Sequence, residues 1–172
     1  QSRLKNQLDS FSKFVPELIA PKSITEKDSY LYLGKSREQQ MSVLFCDIRN
    51  FVSLTESFTS SECFNFINSY LKTVIPSVIK YGGTVYQILG DGILALFPPA
   101  KSGYCDNGLE AAIDIQKVIK AYNAGRQKAG YAEVHVGIGL AYGDVALGVS
   151  GTAIQMAASA FGRTVNLASR LQ

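Results

Sequence analysis

The sequence predicts an α+β fold, a mainly antiparallel sheet of ferredoxin-like or palm type covered by helices, on three observations. Apolar runs of strand length alternate with stretches of helical period. Two pairs of runs meet at turn residues, Gly90-Asp91-Gly92 and Gly143-Asp144, which read as β-hairpins. The resulting order is helix, strand, helix, hairpin, helix, hairpin, helix, and a sheet with helices packed on it satisfies that mixture.

The elements follow in chain order. Leu4, Leu8, Phe11, Val15 and Leu18 recur at spacings of four and three, an amphipathic seam that Pro16 should interrupt. Two heptads suit a short helix capping the core as well as a dimerising helix. Residues Pro21 to Gln40 are polar and aperiodic, so 1–36 reads as an N-terminal helix and linker and 37–172 as one folded domain. Met41 to Ile48 is apolar on both faces, which predicts a central strand covered on each side.

Thr59 with Glu62 forms a capping-box signature, and Phe64, Ile67, Leu71, Val74 and Val78 follow at helical spacing. That helix should reach about Lys80, with a kink or break at Pro76. Thr84 to Leu89 and Ile93 to Phe97 make the first hairpin, with Asp91 at its tip. Pro98 and Pro99 end it, and Ala112, Ile115, Ile119 and Tyr122 mark the next helix. Val134 to Tyr142 and Val145 to Val149 read as the second hairpin, and the small-residue stretch GTAIQMAASAFG precedes the last helix.

Bulk properties narrow the function. The chain has 172 residues, 47% of them hydrophobic, enough for one domain with a real core. Seventeen basic and 14 acidic residues leave a net charge of +3 without a run of one sign, which disfavours nucleic-acid binding. Cys46, Cys63 and Cys105 match no zinc or disulfide spacing and read as reduced thiols in a cytoplasmic setting, mostly core fillers. No stretch approaches a membrane span, so a soluble piece is expected. The start at Gln1 without methionine, and the stop directly after a helical pattern, suggest a longer parent.

The candidate chemistry sits at strand ends. Asp47 follows an apolar run, where burial of a carboxylate without a partner costs several kcal/mol. A cation, a basic partner or a helix N-terminus must compensate. Asp91 in Gly-Asp-Gly reads on turn statistics as a simple turn residue. If the two strands are neighbours, however, both carboxylates meet at one edge and need a counter-ion, the setting a hard divalent cation prefers. Asn166 and Arg170, four apart, share a helical face. They suit an amide that orients a sugar and a guanidinium that neutralises a transferring phosphoryl group, although Arg170 also fits an ordinary helix end. His135, the single histidine, alternates with apolar neighbours and reads as structural; Arg49 reads as a surface arginine that could also steer a nucleotide.

Taken in order, FCDIRNF, GGTVYQILGDGILALF, GIGLAYGDVALGVSG and FGRTVNLASRL resemble the successive motifs of the class III nucleotidyl cyclases, the adenylate and guanylate cyclase catalytic domains. The likeness runs from about Leu33 to the end. It implies a head-to-tail homodimer acting on ATP or GTP, with regulatory domains elsewhere in the parent. It also implies two Mg²⁺ or Mn²⁺ ions per site, held by Asp47, Asp91 and the backbone carbonyl of Ile48 in one subunit. The partner would supply Asn166 to the ribose and Arg170 to the α-phosphate. The products would be a 3′,5′-cyclic nucleotide and pyrophosphate.

The chain departs from the family at the base pocket. Gln87 stands where adenine-specific members carry lysine, and Ser159 where they carry aspartate or threonine; guanine-specific members typically have glutamate and cysteine. An amide that can flip and a hydroxyl that can rotate would serve either base, so a relaxed site is expected, with ATP favoured on the base rate of bacterial relatives. Arg163 replaces a frequent aspartate and Asn50 a frequent glycine, and the family's later strands and triphosphate lysine are not in this sequence. A catalytically weak nucleotide-binding or dimerisation module is the alternative. An RNA-binding sheet lacks its aromatic and basic motif, and diguanylate synthesis lacks the acidic residues after GGTVY.

Overall fold

The computed structural model describes residues 36–99, 106–152 and 154–172. The expected N-terminal helix and most of the linker therefore lie outside the described residues. Within them the strands are β1 (Ser36–Ile48), β2 (Thr84–Leu89), β3 (Gly92–Phe97), β4 (Val136–Gly151) and β5 (Met156–Phe161). The helices are α1 (Phe51–Thr55), α2 (Ser60–Lys80), α3 (Asp106–Lys128) and α4 (Arg163–Leu171). All strand pairs are antiparallel, in the sheet order β2-β3-β1-β4-β5. The fold is the expected α+β architecture, and β2-β3-β1-β4 is the split β-α-β arrangement of ferredoxin-like folds.

β1 is central, as its two-sided apolar character predicts. Leu44, Cys46 and Ile48 face α2 and α3, packing with Phe66, Tyr70, Val74, Val78 and Ile115. Met41 and Val43 face the other side, with Tyr86, Leu94, Leu96, Leu147, Val165 and Ala168. The Thr59–Glu62 capping box forms, with Thr59 Oγ1 accepting from the Glu62 amide at 3.3 Å and Glu62 Oε2 accepting from the Thr59 amide at 2.7 Å. α2 runs unbroken through Pro76, because burial of Phe66, Tyr70, Val74 and Val78 outweighs one lost backbone donor. Its buried stripe differs from the expected one by a rotation that leaves Phe64 exposed and brings in Phe66 and Tyr70.

Three expectations are corrected. β1 begins at Ser36, inside the expected linker, because residues 36–40 pair with Gly148 to Asp144 of β4. Gly143 and Asp144 form no turn: they pair with Met41 and Gln40, so β4 is one continuous strand. Gly143 is glycine for another reason, since at φ 156° a Cβ there would stand 2.6 Å from Thr164 Oγ1 of α4. The second hairpin lies further on, where β4 returns as β5 through the small-residue stretch. Ala157, Ala158 and Ala160 carry too little contrast to mark a strand by alternation.

The sheet curls until its two edges touch. Tyr86 Oη of β2 donates to the Ser159 carbonyl of β5 at 2.9 Å, and Gln87 Nε2 donates to the Ala158 carbonyl at 2.7 Å. Burial holds the Tyr86 phenol up at about 12.

Candidate active site

Asp47 and Asp91 meet at one end of the sheet. The register that pairs Cys46 with Ile93 puts Asp47 beside the β2–β3 turn, and a Cβ on Gly92 would stand 3.1 Å from Asp47 Cβ. Burial raises the Asp47 pKa, the Asp91 charge raises it further, and the Arg49 guanidinium opposes both. Asp47 Oδ1 is buried without a hydrogen-bond partner, while Oδ2 accepts from Gln172 Nε2 at 2.9 Å.

Glycines flank the pair. Gly92 on β3 and Gly137 on β4, the register partner of Asp47, add no side chain of their own beside the carboxylate. Any Cβ on Gly137 would run into the Arg49 guanidinium, which lies against the bare backbone there. After Ile48 and Arg49 the chain turns sharply at Asn50, whose φ 53° and ψ 36° are left-handed. Glycine suits that conformation best and asparagine tolerates it, so the departure at position 50 keeps the turn. Ile48 is 3% exposed, with its side chain in the core, so only its backbone can serve the site.

These residues fit a divalent cation. An unsatisfied carboxylate oxygen next to a second carboxylate is a costly arrangement for a metal-free protein and an ordinary one for an ion. Among the described residues no cluster of three or more histidine, cysteine, aspartate or glutamate side chains exists. Magnesium sites of the phosphate-binding kind need no more than one or two carboxylates, the remaining positions going to water and substrate oxygens.

Asn166 and Arg170 lie on the exposed stripe of α4. α4 buries Thr164, Val165 and Ala168 against the sheet, which turns the opposite stripe, bearing Asn166 and Arg170, to solvent. Gln87 bonds the backbone of Ala158, the neighbour of Ser159, across the closure of β2 onto β5. The Ser159 hydroxyl pairs with that of Ser150. A carbonyl can only accept, so the Gln87 amide turns Nε2 toward Ala158, which leaves Oε1 directed elsewhere.

His135 differs from its sequence reading, and Cys46 agrees with it. The His135 side chain is exposed, 3.7 Å from Glu133, and its backbone carbonyl accepts from the Arg49 amide at 2.8 Å. Cys46 is buried against Tyr70 Oη at 3.3 Å, and burial pushes its thiol up to about 11, which makes it an inert core thiol. Cys63 is free and Cys105 lies outside the described residues. Gln172 and Tyr86 carry no signal in the sequence, since their partners are 125 and 73 residues away. A cavity of about 290 Å³ lies on the helix-covered side instead, between Phe66, Tyr122, Arg126 and Tyr131.

Known proteins share both the pattern and the architecture. The chain is 35% identical to an adenylate cyclase of Anabaena cylindrica over 99% of its own length and 34% of that protein. It is 31% identical to the terminal-differentiation specific adenylate cyclase of Dictyostelium discoideum over 99% of the chain and 8% of that protein. The chain therefore spans about a third or less of these relatives. Among solved structures, a bacterial light-regulated adenylyl cyclase superposes with a TM-score of 0.83 at 24% identity, over 99% of this chain and 49% of that one, a likeness of fold. The guanylyl cyclase Cya2 superposes with a TM-score of 0.68 at 27% identity, over 78% of this chain and 70% of that one. With residues 33–172 matching the family described as adenylate and guanylate cyclase catalytic domain, the chain belongs to that family.

Proposed function

We propose that this domain converts a nucleoside triphosphate, ATP in preference to GTP, into a 3′,5′-cyclic nucleotide and pyrophosphate at the interface of a homodimer. The observation that carries the reading is the orphaned Oδ1 of Asp47 beside Asp91. Asp47, Asp91 and the Ile48 carbonyl would hold two Mg²⁺ or Mn²⁺ ions. When bound, such ions acidify the ribose 3′-hydroxyl and neutralise the triphosphate.

The chain's own residues divide the remaining work. Asn166 and Arg170 are exposed on α4, which suits donation to a second copy: the amide would orient the ribose and the guanidinium would neutralise charge at the α-phosphate as pyrophosphate leaves. The surface beside them is apolar, with Phe161 62%, Leu167 52% and Leu171 55% exposed, as expected of a face that docks. Gln87 Oε1 accepts from the adenine amino group or from guanine N1–H, so selectivity for ATP is incomplete. The two adenylate cyclase relatives at 35% and 31% identity support ATP as the preferred substrate. A cytoplasmic setting, where nucleoside triphosphates are abundant, belongs to the same proposal.

Complementation tests the reading. Asp47→Ala and Arg170→Ala chains should each be inactive with Mn²⁺ and ATP or GTP, and mixing them should restore a fraction of wild-type turnover through one intact site per heterodimer. Silence of the wild type with both nucleotides would end the proposal, and nucleotide binding without product would favour a regulatory module.

A further inference from the structure

We infer that Gln172 is a positioning residue for the metal-binding carboxylate of its own subunit, an inference that rests on the proposed cyclase function. Its Nε2 donates to Asp47 Oδ2 at 2.9 Å while Oδ1 stays unpartnered, so one carboxylate oxygen is pinned and the other left for an ion. The choice of side chain fits that task. A neutral amide orients the carboxylate without neutralising it, whereas lysine or arginine in the same place would compete with a cation for it.

The residue's backbone is held by close packing. The end of α4 lies directly on Gly139 of β4, where a Cβ would overlap the Ala168 carbonyl oxygen and stand 2.8 Å from the Gln172 backbone nitrogen. The strand thus places the Gln172 backbone, from which the side chain reaches Asp47. The Arg49 guanidinium flanks Asp47 over Gly137, and Gly92 closes in from β3. Outer partners of this kind typically contribute about 10–100-fold in metal affinity.

The test uses the full chain and the variant Gln172→Met, which keeps the side chain's length and removes its donor. Mn²⁺ binding without nucleotide, read from the electron paramagnetic resonance of the free ion, should weaken about 10-fold or more. The nucleotide KM at saturating Mn²⁺ and the metal-free melting temperature should stay near wild type. Unchanged Mn²⁺ affinity in Gln172→Met would overturn the inference and leave the cyclase reading standing. Loss of the fold in this variant would also overturn it, because the residue would then be structural. A wild-type chain that bound no Mn²⁺ and formed no cyclic nucleotide would remove both readings together.

Discussion

The two faces of the sheet carry different burdens. Toward α2 and α3, Leu44, Cys46 and Ile48 meet a continuous apolar layer that contains Tyr70, Val74 and Ile115, each fully buried. Toward α4, one nine-residue helix and the returning edge strand cover the sheet, and Ile154, Met156, Phe161, Leu167 and Leu171 remain exposed on β5, its connection and α4. The carboxylate of Asp47 opens on this thinner side, since its strand neighbours Met41 and Val43 point there at the alternate positions. One face is built to be stable. The other keeps, among the described residues, an unsatisfied carboxylate oxygen and uncovered apolar surface.

Substitutions on the two faces should therefore separate activity from stability. The largest effect is expected for Asp47→Asn, which should cost several kcal/mol of transition-state stabilisation, about a thousandfold in cyclic-nucleotide formation. The same change should raise the metal-free melting temperature. Burial and Asp91 hold the folded-state pKa of Asp47 above its unfolded value, so its protonated form stabilises the fold at low pH and that contribution is lost as pH rises through the folded pKa. Calorimetry across about pH 4 to 7 should show the variant gaining on the wild type toward the neutral end. A variant that melts lower at neutral pH would mean that Asp47 is paired in a way its orphaned oxygen does not show.

On the covered face, Leu44→Ala should cost about 2–5 kcal/mol in denaturant unfolding, with turnover per folded molecule kept. Between the faces lies Gly139→Ala. A Cβ there meets the Ala168 backbone rather than a flexible side chain, so overpacking should cost about 1–3 kcal/mol and activity should fall further than stability, because α4 is displaced. If activity only tracked stability, α4 would be a cover and not part of the site.

Smaller effects sharpen the contrast at the two entrances to the helical layer. Thr59→Ala should cost about 1 kcal/mol through the lost cap. The capping amide and hydroxyl of Thr59 hold the Glu62 pKa below its ordinary value, so the associated stability is present above the unfolded pKa and lost as pH falls through the folded one. The acid limb of a stability–pH curve should accordingly flatten in Thr59→Ala. Asn50→Gly should stay within about 1 kcal/mol of wild type, since both residues accept the left-handed turn, while a β-branched residue there should be clearly worse.

Much of this was readable residue by residue. The two-sided apolar run of β1, the capping box before α2 and the Gly-Asp-Gly reversal each depend on neighbours within a few positions, and each stands where expected. The meeting of Asp47 with Asp91 needed only that β1 and β3 be adjacent, which the β-α-β-β order makes natural. Gly143 misled because a glycine before an aspartate marks turns by its backbone freedom, whereas here its missing side chain lets α4 approach β4. β5 was invisible because alanines and serines show no periodic contrast.

What the sequence by itself determined is the class of fold, the family motifs and the pair of strand-end carboxylates, because these depend on side-chain chemistry and short-range periodicity. Tertiary structure alone decided that Gln87 bonds Ala158, that Asn166 and Arg170 lie on the exposed stripe of α4, and that Gln172 reaches Asp47. The contacts of Gln87 and Gln172 span 71 and 125 residues, and the outward turn of α4 follows from its seat on a distant strand. Such relations are set by how the sheet curls and where the last helix lands on it, and no local pattern encodes them.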